Sequence, residues 1–194
     1  TANSNTALGY DALALNTTGH SNVAVGAFSL DANTSATQNT AVGVSSLSAA
    51  TTGGNNTGIG YQALKLVTTS GSNTAVGYQA LENNTAAANT AVGSDALQAN
   101  TTGTTNTALG SFALNANTTA NENTAVGYAA MEENTTGLYN TALGFKALEA
   151  NVSGERNTAI GRAALMLNST SQNTAVGFNC LVDNTNGQYN TAVG

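Results

Sequence analysis

The chain has 194 residues, 7% of them charged, with ten acidic against four basic side chains and a net charge of -6. With no basic stripe to displace counterions, DNA and RNA are excluded as expected partners. Apolar residues make up 41%, enough to build a core, so low charge here does not mean disorder.

In chain order, the first organised element is Asn5-Thr6-Ala7-Leu8-Gly9. The same phrase, Asn-Thr-Ala-(Val/Leu/Ile)-Gly, returns along the whole chain. Its glycines are Gly9, Gly26, Gly43, Gly60, Gly77, Gly93, Gly110, Gly127, Gly144, Gly161, Gly177 and Gly194. Successive glycines are 17 residues apart, except Gly77 to Gly93 and Gly161 to Gly177, which are 16 apart. A fixed short period is the signature of a stacked repeat, so residues 1–194 read as one elongated array. The chain opens and stops in mid-repeat without the polar caps that solenoids need; the expectation is an excerpt of a longer fibre. No apolar run reaches the ~20 residues that span a bilayer, and no segment reads as a signal peptide.

Numbered from its asparagine, the repeat is Asn-Thr-Ala-Val-Gly-Tyr-x-Ala-Leu-x-x-Asn-Thr-Thr-Gly-x-x. Positions 1 and 5 are invariant, position 2 departs only at Val23, and position 3 only at Gly58. Position 9 is Leu or Met131, and position 8 is Ala, Ser29, Ser46 or Cys180. The β-branched residues at position 4 predict a short strand over positions 2–4. The glycine at position 5 predicts a corner needing positive φ or close backbone approach. Positions 6–9 read as a second short strand and positions 10–17 as a polar return turn. In this reading the residues at positions 4 and 9 fill the interior, and Ala at position 3 paves an outer face against a second copy. Both 16-residue repeats lose their residue between Leu81 and Asn89, or Leu165 and Asn173, where a surface turn absorbs the change. Two buried apolar side chains, ~1.5–3 kcal/mol each, cannot offset the entropy of ordering 17 residues at ~1–2 kcal/mol each. A coil is therefore stable only between neighbours. The fold expected is all-β, a parallel β-solenoid (β-roll) of about eleven coils. Position-1 amides would stack as a ladder, and the rings at position 6 (Tyr10, Tyr61, Tyr78, Tyr128, Phe145, Phe178) could stack along a seam.

The phrases Asn73-Thr74-Ala75-Val76-Gly77-Tyr78-Gln79-Ala80-Leu81 and Asn39-Thr40-Ala41-Val42-Gly43 resemble repeats of two groups. One is the head domain of trimeric autotransporter adhesins; the other is the repetitive shaft of phage tail fibres and similar extracellular fibres. The resemblance implies a parallel β-roll, three identical chains side by side, and exposure outside the cell or on a virion. The chain departs from the adhesin heads in its longer coil and in Ala-Leu at positions 8 and 9.

Catalysis needs a converging nucleophile, base and charge stabiliser. The sole His20 lies in a variable turn, the sole Cys180 replaces a small residue, and the acids fall at unlike repeat positions. The expectation is a non-enzyme with no cofactor and no metal. Gly58-Ile59-Gly60 is a repeat unit rather than a phosphate loop. Sequons at position 12 (Asn16, Asn33, Asn100, Asn117, Asn134, Asn151 and Asn168) fall in the predicted exposed turn, as candidate N-glycosylation sites. Asn55 and Asn83 also head sequons. The function expected is a structural segment of an extracellular fibre, an adhesin, appendage or tail-fibre shaft, whose partner is itself as a homotrimer or an end-on polymer. The alternative is a solenoid that binds ice, glycan or a host surface through its threonine-rich side. No membrane association is expected within the segment.

Overall fold

The computed structural model describes residues 2–194. Three-residue strands, one per repeat, run from β1 (Thr6–Leu8) and β2 (Val23–Val25) to β12 (Thr191–Val193) and form a single parallel sheet in chain order. Like residues pair: Ala7 lies opposite Ala24 and Leu8 opposite Val25, and the register is still unshifted where Val176 meets Val193. No helix occurs among the described residues. At ~4.8 Å per coil, eleven steps make a rod about 53 Å long. The parallel β-solenoid expected from the period is the fold observed.

The short repeats keep this register, with Thr74 opposite Thr90 and Thr158 opposite Thr174. Asn100 still donates to Asn84 Oδ1 at 2.7 Å, so the missing residue falls after position 12. In an ordinary coil one carbonyl in the return turn, such as Ala120 O, receives the amides of Asn106 (2.8 Å) and Asn117 (3.2 Å). In the short coil Ala86 O, one residue earlier in the turn, receives those of Asn73 (2.9 Å) and Asn84 (2.7 Å). The turn shortens yet keeps its acceptor.

The second strand expected at positions 6–9 is not formed. Positions 7 and 9 are left-handed in the coils, as at Asp95 (φ 56°) and Leu97 (φ 52°), and so is position 17, as at Thr105 (φ 58°). This turn is still bonded along the rod, with Leu97 N donating to Ala113 O and Phe112 N to Ser94 O, each at 3.0 Å. Left-handed backbone costs a non-glycine residue ~1–2 kcal/mol and is least compatible with β-branching. Position 9 accordingly carries Leu or Met, never the Val and Ile that occupy position 4. Thr105 is the one β-branched residue so placed among those described.

The corner expectation holds on both counts. Gly60 has φ 136°, and a Cβ there would collide with the carbonyl oxygen of Gly77 in the next coil.

The inside-outside phase of the strand is the reverse of that expected. From Ala24 to Ala175 the position-3 alanines are fully buried, whereas positions 2 and 4 point outward. The interior columns are Ala at 3, the small residue at 8 and Leu at 9. The reason is width. A Cβ built on Gly58 already lies 3.3 Å from Leu47 Cγ, so a methyl fills the space between the strand and the position-9 column.

Candidate functional site

Two asparagine columns line the interior. At position 1 the side-chain oxygen accepts the backbone N–H of the next coil's asparagine. The run starts with Asn22 N on Asn5 Oδ1 (2.9 Å), ends with Asn190 N on Asn173 Oδ1 (3.0 Å), and is unbroken through every step between. The expected ladder is present, but it joins amide to backbone more than amide to amide.

Position 12 forms a second column. Asn117 donates to Asn100 Oδ1 (2.9 Å), Asn134 to Asn117 Oδ1 (3.1 Å) and Asn151 to Asn134 Oδ1 (3.1 Å). The candidate glycosylation residues Asn33, Asn100, Asn117, Asn134, Asn151 and Asn168 are fully buried, and the exposed turn expected for them is corrected. Asn16, in the first coil, is half-buried and donates to Gly19 O at 3.1 Å. A glycan on these Nδ2 atoms would break their bonds and need room inside the coil. Asn55 is exposed and Asn83 half-buried, both outside the two columns. Ala50 and Val67 interrupt the second column, leaving Asn33 Oδ1 enclosed without a partner.

The outer sheet face carries two ranks, Thr at position 2 and Val, Leu or Ile at position 4. Leu109 and Leu143 are each 47% exposed, and no charged residue occupies either rank. The threonine rank at position 13 spends its hydroxyls on the next coil's carbonyl, as Thr101 does on Thr118 O at 2.9 Å. Thr107 at position 2, by contrast, is exposed, as are Thr90 and Thr124 beside it in the rank.

Around the corner, Tyr61 stacks on Tyr78 (5.4 Å, 14°) and Tyr128 on Phe145 (5.5 Å, 13°). The aromatic column therefore exists in segments. Where position 6 is Ala27 or Ser111, the following Phe28 or Phe112 brings a ring edge-on to Tyr10 or Tyr128. Arg162 lies between the rings of Phe145 (5.4 Å) and Phe178 (5.3 Å).

The remaining polar chemistry is dispersed. Lys146 pairs with Glu149 at 2.6 Å and Lys65 with Glu82 at 3.5 Å; the Glu149 hydrogen bond raises the Lys146 pKa. Burial, with the neighbouring Glu149 charge, pushes the Glu132 carboxyl up. Burial likewise raises Asp31, whose Oδ1 is enclosed with no partner. His20 is exposed, 3.3 Å from Ser21 Oγ, and Cys180 is half-buried at the core margin. Among the described residues no three of His, Cys, Asp or Glu converge, and no pocket is formed. In comparison with known proteins, no protein family, no curated protein and no solved structure matches this chain.

Proposed function

We propose that the chain is a structural, non-enzymatic segment of an extracellular fibre, of the adhesin, appendage or tail-fibre shaft kind. In that assembly three identical chains lie side by side on a cell or virion surface. The observation that carries this reading is the unbroken position-1 ladder. The same hydrogen bonds recur at every step of the rod, so each coil adds a fixed length and resists bending in the same way. Nearest-neighbour coupling of this kind makes length and stability grow together with repeat number.

The test is small-angle scattering on the purified chain and on a variant with one repeat, residues 106–122, excised. The expected result is a rod whose length falls by about 4.8 Å per excised coil. A compact or flexible profile would reject the proposal. One observation favours a second reading, a surface that binds ice or glycan. Position-2 threonines such as Thr107 and Thr124 are exposed and stand in register from coil to coil. Inhibition of ice recrystallisation, or specific glycan retention, by the isolated chain would replace the shaft reading with that one.

A further inference from the structure

The outer face of the sheet is bare. Parallel sheets are ordinarily covered on both faces, and here only the inner one is. The uncovered side shows Thr at position 2 and Val, Leu or Ile at position 4 in unshifted register from coil to coil. Leu109, Leu143 and Ile160 stand 37–47% exposed in the second rank.

We infer that this face, together with the position-6 rank beside it, is the surface on which a second copy of this chain packs, like face against like face. This inference rests on the shaft reading, whose partner is already another copy of the chain, and narrows it by naming the surface used and a pairwise, face-to-face contact in place of three chains side by side.

Three arguments select a second copy. The first is pitch. A strip about 53 Å long with one rank member per coil can be matched along its full length by a surface with the same rise per coil, which another copy has by construction. The second is charge. Neither rank 2 nor rank 4 holds a charged residue, and rank 6 holds one, Arg162, held between two rings. Like faces therefore meet without the repulsion that would oppose a symmetric contact.

The third is area. Three-residue strands give a strip about 10 Å wide and on the order of 500 Å². That is short of the ~800 Å² per partner of a stable interface. Extending the strip by two residues, the corner glycine and the rank of Tyr61, Tyr78, Tyr128 and Phe145, brings it to roughly 900 Å². A contact of stable size therefore needs the aromatic rank around the corner as well. The apolar rank at position 4 is its centre, with threonine hydroxyls and tyrosine rims at the margins, the ordinary anatomy of an interface.

The test is sedimentation velocity of the purified chain across concentration, beside Val92→Lys/Val126→Lys on the centre rank and Thr102→Lys in the return turn. The wild type and Thr102→Lys should sediment as oligomers. The double variant should sediment as a single 19.2 kDa chain with unchanged circular dichroism. A wild type that stays a single chain at every concentration, or a double variant that still associates, overturns the inference. Should the double variant unfold, a second measurement decides. In a Cys180→Ala background, the thiol of Val126→Cys should react with maleimide slowly in concentrated solution and rapidly after dilution; equal rates overturn the inference. A single-chain rod that blocks ice recrystallisation would overturn it in favour of a water-ordering face. A double variant that still associates fails this face alone, whereas a wild type that stays a single chain also fails the multi-chain assembly of the shaft reading; scattering tests the rod itself in either case.

Discussion

The interior ladder can be tested at one residue, Asn106. Its Oδ1 accepts Asn123 N at 3.0 Å, and its Nδ2 donates to Ala120 O at 2.8 Å and to Asn89 Oδ1 at 3.3 Å. Asn106→Ala leaves the Asn123 N–H enclosed and unpaired, at ~1–3 kcal/mol. Ala120 O keeps its second donor, Asn117, so that end is partly protected. With the space vacated by the amide, the total loss is about 2–5 kcal/mol. A linear array opens locally, so the readout is amide hydrogen exchange around Asn123 together with the thermal melt. A loss of ~2 kcal/mol already means roughly 30-fold faster exchange. Asn106→Asp sharpens the test. Its carboxylate still accepts from Asn123 but turns a second oxygen on Ala120 O and buries a charge, so at neutral pH it should be the more damaging change. Protonated, it regains a donor. Its folded pKa is raised, so its stability is present below the ordinary aspartate value and lost as pH rises through the folded value. If the Asp and Ala variants melted alike at neutral pH, and the Asp variant showed no recovery in acid, the amide would not be buried and bonded as described.

Five further outcomes are expected. Ala50→Asn/Val67→Asn completes the second column and gives Asn33 Oδ1 a donor, so it should raise the melting temperature, whereas Ala50→Asn alone only moves the orphaned oxygen one coil on. Gly58→Ala should destabilise, because its Cβ would lie 2.6 Å from Ser46 Oγ; adding Ser46→Ala should restore the melt, with a coupling of about 0.5–3 kcal/mol. Leu97→Ile, conservative in volume, should still cost ~1 kcal/mol or more at its left-handed φ. Leu97→Asp should split or unfold the array, while Gln98→Asp, which gives up bonds to Gln79 and Glu82 at a half-buried surface, should cost far less, all read by thermal melts. Burial raises Asp31 and Glu132 in the folded chain, so their contribution to stability is full below the ordinary values of 3.8 and 4.5 and falls as pH rises through the folded ones. Acidifying from neutral should therefore raise the melting temperature through these groups, an effect that Asp31→Asn/Glu132→Gln removes.

Much of the architecture was legible because the period itself is physical. Invariant glycine marks a corner where no Cβ fits, and both deletions fall in the turn that can shorten. The position-1 ladder was legible for the same reason. The strand's phase was not, since Ala at 3 and Val at 4 are both apolar and Val is the more hydrophobic. Only the narrow space opposite the leucine column assigns the interior to alanine. The missing second strand did leave a signal, the exclusion of Val and Ile from position 9 while position 4 accepts them freely. Position 12 left one too. Ala50 and Val67 are odd replacements for asparagine in a solvated turn and natural ones for an asparagine that is enclosed.

The same ambiguity confronts the folding chain. A one-residue slip in a strand exchanges its two faces, and here that slip would put Val or Leu inward in place of Ala at little loss of apolar burial. Hydrophobic pattern alone therefore cannot fix the register. The narrow space opposite the leucine column and the asparagine columns together can. After a slip, position-1 side chains would leave the backbone N–H groups they now serve, and each coil would bury an unpaired donor and an unpaired acceptor at ~1–3 kcal/mol apiece. Glycine at the corner opposes the slip as well, because any other residue moved there would meet the next coil's carbonyl. Two buried polar columns are a costly way to fill a core that leucine could fill, but leucine would not specify which residue faces which. In a rod built from near-identical coils, that specification is what allows every step to repeat the one before it.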